Sequence, residues 1–230
     1  MQDALPRARK LQRPAVEIVL RAHYPRVCRM AYALCGDDDS GRSAVKIIMN
    51  QSLRALPNWR NEAQAGNWFL HHTILKSRDL TPPPHDVRQD SLLRSLIRPS
   101  PEYTAFLRAF RHLPSQQREA FVLFRGEKLE PRQAAVAMDC STAAAANHLA
   151  AANKALAAIA VDTFETRAGA LMQVYASLTP PEDLIVGDIG VIARRLGWRK
   201  FLRFMERILA LAILAAVAWI IWRLSRMIVI

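Results

Sequence analysis

The sequence predicts an all-α protein with two small helical domains and a C-terminal transmembrane helix. Apolar residues recur every three or four positions in several segments, and prolines and glycines stand where helices would begin and end. An uncharged apolar run, ILALAILAAVAWIIW, lies near the C-terminus. The net charge of +12 indicates an anionic partner, either nucleic acid or a membrane surface.

The first predicted domain covers residues 14–80 and follows a basic lead, residues 1–13, which we expect to be disordered. Pro14 suits the first turn of a helix because its missing N–H needs no partner there. Apolar residues then recur at helical spacing as far as Leu34. Two further helices are expected, at about residues 41–56 and from about residue 66.

A proline-rich linker, residues 81–101, follows. Its three consecutive prolines favour extended backbone. The central SLLRSLI is apolar enough for a short helix.

Residues 102–161 form the second predicted domain and carry a helix-turn-helix pattern. Ser115 is the expected N-cap of a helix that Gly126 ends, and Pro131 suits the first turn of a short second helix. After a tight turn, Ser141 or Thr142 would cap a third helix that reaches about residue 158. Short helix, tight turn and longer helix are the elements of a DNA-binding helix-turn-helix.

These segments resemble bacterial sigma factors of the extracytoplasmic-function type. HYPRVCRMAYALCGD, QSLRALPNWR and GNWFLHHTILKSRDL resemble region two, and LPSQQREAFVLF with the EPRQAAVAM helix resembles region four. The matching segments cover about residues 16–80 and 102–160. The resemblance implies that RNA polymerase core and promoter DNA are the partners, with region four reading the upstream promoter element.

The resemblance also implies DNA-binding residues in both domains. Trp59 and Trp68 could stack on a flipped base, although core packing is the alternative for each. The expected DNA-binding residues are Arg54, Trp59, Trp68, Ser141, Thr142, Asn147, His148 and Lys154.

Two departures from the family weaken its expected contacts. The third helix of the second domain is rich in alanine, and Lys154 is its only fixed cation, so we expect weak DNA binding. An alanine-rich packing helix inside a bundle is the alternative. The second helix of the first domain presents Lys46, Met49 and Asn50 where the family has a polymerase-binding acidic cluster, and we expect these three to bind a partner. The acidic run of residues 37–39, expected in the preceding loop, could partly replace that cluster.

The C-terminal part is predicted to contact a membrane. A helical extension (residues 162–193) precedes a basic interfacial helix (194–207) and a transmembrane anchor (208–230). More cations precede the anchor than follow it, which places the bulk of the chain in the cytoplasm and the anchor, single-pass, in the inner membrane. A buried helix in a soluble oligomer is the alternative. The residues expected at an anionic lipid bilayer are Arg194, Arg195, Trp198, Arg199, Lys200, Arg203, Arg207, Trp219, Trp222 and Arg223.

No catalytic set, phosphate-binding loop or metal-ligand spacing is visible, so we expect no enzyme activity, cofactor, metal or small-molecule substrate. The sequence predicts a membrane-tethered, sigma-like transcription regulator. The alternative is a sigma-fold protein without sigma activity, acting as an adaptor or accessory subunit of a membrane protein complex, or as a decoy for a sigma regulator.

Overall fold

The computed structural model describes residues 3–81, 89–96 and 99–196, together with Met205, Ile208, Ile213 and Leu214. These residues form helices and no β-strand, and an isolated antiparallel bridge joins Asp37 to Asp90. The all-α prediction is therefore confirmed for this part of the chain.

Ten α-helices have named bounds within the described residues. The first five are α1 (Ala4–Arg9), α2 (Arg13–Cys35), α3 (Asp38–Ala55), α4 (Glu62–Leu80) and α5 (Ser91–Arg94). The others are α6 (Pro101–His112), α7 (Ser115–Phe121), α8 (Pro131–Met138), α9 (Thr142–Ala157) and α10 (Phe164–Ser177). A short 3-10 turn, Leu56–Asn58, follows α3, and α7 continues as a π-helical turn, Val122–Gly126.

The chain divides into two units, residues 1–189 and residues 190–230. In the first unit, we call residues 3–81 the N-terminal half and residues 99–189 the C-terminal half. Residues 182–189 are also helical. One hydrophobic core runs through both halves, from Met30 and Ile74 to Phe110 and Phe121. The two predicted helical domains therefore pack against each other.

In the second unit, residues 190–196 are helical and Arg194 and Arg195 are exposed. The other residues predicted at the membrane interface, and nearly all of the predicted anchor, lie outside the described residues. Among the residues that are described, no helix is both long and apolar enough to cross a membrane.

The N-terminal lead differs from the expected disorder. Residues 4–9 form α1, which packs against α2 and buries Leu5 and Ala8. These two residues are three apart and share one helix face. This apolar pattern covers too few residues for the sequence to indicate a helix.

The acidic run of residues 37–39 begins α3 and does not lie in a preceding loop. The carboxylate of Asp37 accepts a hydrogen bond from the backbone N of Ser40 at 2.8 Å, and Asp38 and Asp39 occupy the first turn. Carboxylates are favourable there because the unpaired N–H groups give this end of a helix a partial positive charge. α3 therefore starts three residues earlier than predicted.

The predicted linker contains a packed segment. Asp90 is fully buried and forms an ion pair with Arg111 of α6, while the backbone N of Ser91 donates to the carbonyl of Gly36 at 2.8 Å. Leu92 and Leu93 of α5 enter the shared core. The expected short helix is present, and its contacts connect the two halves of the first unit.

Candidate nucleic-acid interface

α7, α8 and α9 form a helix-turn-helix whose helix ends depend on local signals. Pro131 occupies the first position of α8, as predicted. α7 begins at Ser115, one residue earlier than expected, and the residue at its N-cap is Pro114, with no side-chain hydrogen bond. The π-helical turn ends at Gly126, where the backbone N of Glu127 donates to the carbonyl of Val122 at 2.9 Å.

The turn between α8 and α9 is closed by backbone and side-chain hydrogen bonds. Asp139 adopts the left-handed conformation with φ 55° at the end of α8, and Cys140 N donates to the carbonyl of Ala135 at 3.0 Å. Ser141 Oγ accepts from the backbone N of Ala144 at 3.1 Å and caps α9. The cap predicted at this position is confirmed, and one acceptor site of the Ser141 hydroxyl is occupied by its own helix.

α9 has a packed face and an exposed face. Ala145, Ala152 and Leu156 are buried against the rest of the helix-turn-helix. The exposed face carries small or neutral side chains until the last turn, and His148 is half-buried at its edge. The exposed residues are Thr142, Ala143, Ala146, Asn147, Ala150, Lys154 and Ala155. A phosphate backbone meeting this face would find one cation, Lys154, on the helix.

The helix-turn-helix has two further exposed cations, and sequence reasoning missed them. Lys128 in the loop and Arg132 in the first turn of α8 are exposed, and so is the neighbouring Gln133. In helix-turn-helix proteins the helix before the recognition helix crosses the DNA backbone. The GEKLEPRQ segment could have indicated these cations, but the prediction considered only the third helix.

Arg125 lies close to α9 but is already paired. Its guanidinium donates to Asn153 Oδ1 at 3.2 Å and to both carboxylate oxygens of Glu165 at 2.8 and 3.0 Å. It also lies 4.9 Å from the centre of the Phe164 ring. These contacts hold Arg125 against α10 and reduce its availability to an external phosphate.

The face of α8 that meets the N-terminal half is covered by α4. His71 Nδ1 lies 3.1 Å from the carbonyl oxygen of Ala137, and Arg78 donates to the carbonyl of Met138 at 3.4 Å. The N-terminal half therefore packs against one face of α8, while the first turn of α8 remains exposed.

The two tryptophans predicted to stack on a base have different environments. Trp59 is 4% exposed and packs against Trp68 and Phe69, with ring centres 5.4 and 5.3 Å away. This burial favours the core-packing alternative for Trp59. Trp68 is half-buried and stacks on His72 at a centroid distance of 3.8 Å. Only Trp68 presents part of its ring to solvent.

The residues expected to bind a partner on α3 are also divided. Lys46 and Arg54 are exposed, whereas Met49 is fully buried in the core of the N-terminal half. Asn50 is half-buried, and its Nδ2 donates to the carbonyl of Lys46 at 2.7 Å. The helical period places Met49 inward, so it cannot share a surface with Lys46.

No group of three or more metal-ligating side chains comes together in the described parts of the chain. Burial raises the pKa of the Cys28 thiol to about 12 and that of the Cys35 thiol to about 11. Both thiols are therefore protonated at neutral pH and unreactive as nucleophiles.

A comparison with protein families gives a match in the helix-turn-helix. The family model described as "Sigma-70, region 4" matches residues 103–156. Residues 103–156 are similar to sigma-70 region 4. The matched segment runs from α6 to the last turn of α9 and includes the whole helix-turn-helix. No curated protein sequence matches the chain. The matched residues do not include 16–80, where the resemblance to region two stays a prediction.

Proposed function

We propose that the protein is a sigma-like transcription regulator that engages RNA polymerase and promoter DNA and is tethered to the inner membrane. One observation carries the proposal: a capped helix-turn-helix with an exposed α9 face lies within the segment that matches sigma-70 region 4. Among the described residues, no group of three or more metal-ligating side chains competes with it.

DNA binding by this regulator is weak in our proposal. The exposed α9 face has one cation, and Lys128 and Arg132 are further exposed cations of the helix-turn-helix. Each phosphate contact steepens the salt dependence of affinity, so few contacts give a shallow dependence. Specific promoter recognition then depends on polymerase holding the protein at the promoter.

An adaptor or accessory subunit of a membrane protein complex, or a decoy for a sigma regulator, is the second candidate. The alanine-rich α9 face and the exposed Lys46 on α3 favour it. The alanines replace cations that DNA would attract, and Lys46 replaces a carboxylate that polymerase would attract. The membrane tether is common to the tethered regulator and to the adaptor, and it rests on the apolar sequence after residue 207.

Affinity purification of the full chain from solubilised membranes tests the proposal. Recovery of RNA polymerase subunits supports the sigma-like regulator. Recovery of one membrane complex without polymerase supports the adaptor and contradicts the regulator.

A second experiment tests the α9 face directly by measuring duplex DNA binding at several salt concentrations. Ala146→Arg with Ala150→Arg adds two cations to the exposed face. If this face meets DNA, the slope of log affinity against log salt should steepen by about 0.9 for each new phosphate contact. Ala176→Arg, at an exposed position of α10, is the control and should leave the slope unchanged. Equal slopes in all three proteins would show that α9 does not meet the phosphate backbone.

A further inference from the structure

A row of cations follows the exposed face of α3. Arg42, Lys46 and Arg54 are exposed and lie on one ridge of positions four apart, which half-buried Asn50 completes. From Arg42 to Arg54 the ridge is about 18 Å long at the α-helical rise. In the described part of the chain none of these three cations forms an ion pair. Asp39 contributes a carboxylate at the beginning of the ridge. We call Arg42, Lys46, Asn50 and Arg54 the basic ridge.

A cavity of about 350 Å³ opens between α1, α2 and the first turn of α4. Its lining is mainly apolar and includes Leu5, Val19 and Ala65. Arg9 and Arg60 also line it and are exposed, and Glu62 adds one carboxylate. The cavity therefore combines a mainly apolar lining, in which His23 is a buried polar group, with a rim that carries more positive than negative charge.

The basic ridge and the cavity are joined through the turn after α3. Pro57 lies in the 3-10 turn, three residues after Arg54, and its carbonyl accepts a hydrogen bond from Arg9 Nε at 3.3 Å. Arg9 itself lines the cavity. The C-terminal end of the ridge at Arg54 is thus three residues from Pro57, which Arg9 of the cavity rim contacts.

We propose that this surface docks an acidic helical segment of another protein, with carboxylates along the basic ridge and one large apolar side chain in the cavity. Glutamates four apart on a helix are neighbours, at the same spacing as the cations of the ridge. A buried apolar anchor surrounded by charge pairs is the usual arrangement of an affinity-determining contact.

The apolar cavity favours an acidic protein helix over the other anionic partners, which are nucleic acid and a lipid surface. A nucleic-acid backbone supplies phosphates but no aliphatic side chain to fill an apolar cavity. A lipid surface is broad and satisfies cations without requiring a defined helical spacing. An amphipathic acidic helix provides both the charge and the anchor. This site is separate from α9, so the docking proposal stands or falls independently of DNA binding.

The test uses the full chain in non-ionic detergent and a fluorescently labelled helical peptide with glutamate at every fourth position and one phenylalanine near its end. Fluorescence anisotropy should show saturable binding that weakens as salt is added. A peptide with glutamine for glutamate, and one with serine for phenylalanine, should each bind at least about tenfold more weakly.

Charge reversal locates the site. The variant with Arg42→Glu, Lys46→Glu and Arg54→Glu should lose at least about tenfold in affinity for the acidic peptide. The matched control reverses three exposed cations of the C-terminal half, Arg108→Glu, Lys128→Glu and Arg132→Glu, which changes the net charge equally and should leave the affinity within about twofold. Far-ultraviolet circular dichroism confirms that both variants are folded.

A second variant tests the cavity without changing charge. Ala63 lines the cavity and is exposed, so Ala63→Trp fills the space with little disturbance of the core. It should remove the preference for the phenylalanine peptide over the serine peptide.

Three results would overturn the proposal. One is the absence of saturable peptide binding, and another is equal weakening by the two triple reversals. The third is a loss of binding to duplex DNA or to phosphatidylglycerol vesicles on reversal of the ridge while peptide binding survives. That result would assign the ridge to nucleic acid or to lipid.

Discussion

Arg78 of α4 and Glu119 of α7 form a two-point ion pair where the two halves of the first unit meet. Arg78 Nε lies 2.7 Å from Glu119 Oε1, and Arg78 Nη2 lies 2.6 Å from Glu119 Oε2. The side chain of Glu119 is 3% exposed and that of Arg78 is 28% exposed. Parallel hydrogen bonds of this kind fix the orientation of both groups.

Glu119→Gln should lower the free energy of unfolding of residues 1–189 by about 2 kcal/mol. The change keeps the shape of the side chain but leaves the charge of Arg78 poorly compensated, and partial hydration of Arg78 limits the loss. Lys76→Gln, which breaks the more exposed pair with Asp79, is the control and should lose less than about 1 kcal/mol. Urea denaturation measures the free energy of unfolding of both variants. Equal losses would mean that burial of Glu119 does not increase the contribution of its ion pair to stability.

A stronger effect is expected at the buried pair of Asp90 and Arg111. Asp90 is fully buried, and Arg111 Nη2 donates to its Oδ1 at 2.9 Å. Asp90→Ala should destabilise residues 1–189 by about 3 kcal/mol or more, since it leaves Arg111 charged and buried without its partner. Arg94→Ala breaks the exposed pair between α5 and Asp38 and should change stability by less than about 1 kcal/mol. A similar effect of the two changes would contradict the structural role of Asp90.

Protonation of His23 makes the free energy of unfolding depend on pH. Burial, assisted by the nearby Arg26, lowers the pKa of His23 from 6.5 to about 4, and its Nε2 has no hydrogen-bond partner among the described residues. Between pH 6.5 and 4 the unfolded chain binds a proton that the folded chain does not, so stability falls as the pH is lowered through this range. At pH 5 the loss from His23 is about 2 kcal/mol.

His23→Phe removes this titration and keeps an aromatic ring against Phe69, on which His23 stacks. The decrease in stability between pH 7 and pH 5 should be about 2 kcal/mol smaller in the variant. Thermal or urea unfolding at the two pH values measures the difference. If wild type and variant lose the same stability, the folded protein accommodates a charged His23.

The membrane anchor is tested by fractionation. The full chain should sediment with membranes and resist extraction by high salt and by carbonate, because an apolar span is held by the hydrocarbon core. A shortened chain ending at residue 189 should stay in the supernatant, since it keeps the first unit and lacks the apolar run. Release of the full chain by salt alone would show that the basic segment binds only the membrane surface or another protein.

Local sequence signals were sufficient for the helix-turn-helix. Pro131 and Ser141 act on backbone groups of their own or the following helical turn, so the residues near them determine the start of α8 and of α9. Alanine has a high helix propensity, and it supports α9 whatever surrounds it. These features could be predicted without knowledge of any distant contact.

Features that depend on distant contacts could not be predicted. The burial of Asp90 requires Arg111, and the position of Arg9 beside Pro57 joins residues 48 apart in the chain. Trp59 has the composition of a base-stacking residue, yet packing against Trp68 and Phe69 buries it. A sequence pattern indicates which side chains are apolar but cannot tell a core aromatic ring from an exposed one.

Glu127 connects α2 and α10 of the first unit. Its carboxylate accepts hydrogen bonds from Arg26 of α2, at 2.5 Å, and from the hydroxyl of Tyr175 of α10, and it lies 3.5 Å from Arg29. Denaturant should therefore melt α2 and α10 together, with fluorescence and circular dichroism following the same single transition. In a cell, damage to either half would expose the other to proteolysis, so the two halves would be degraded as one substrate.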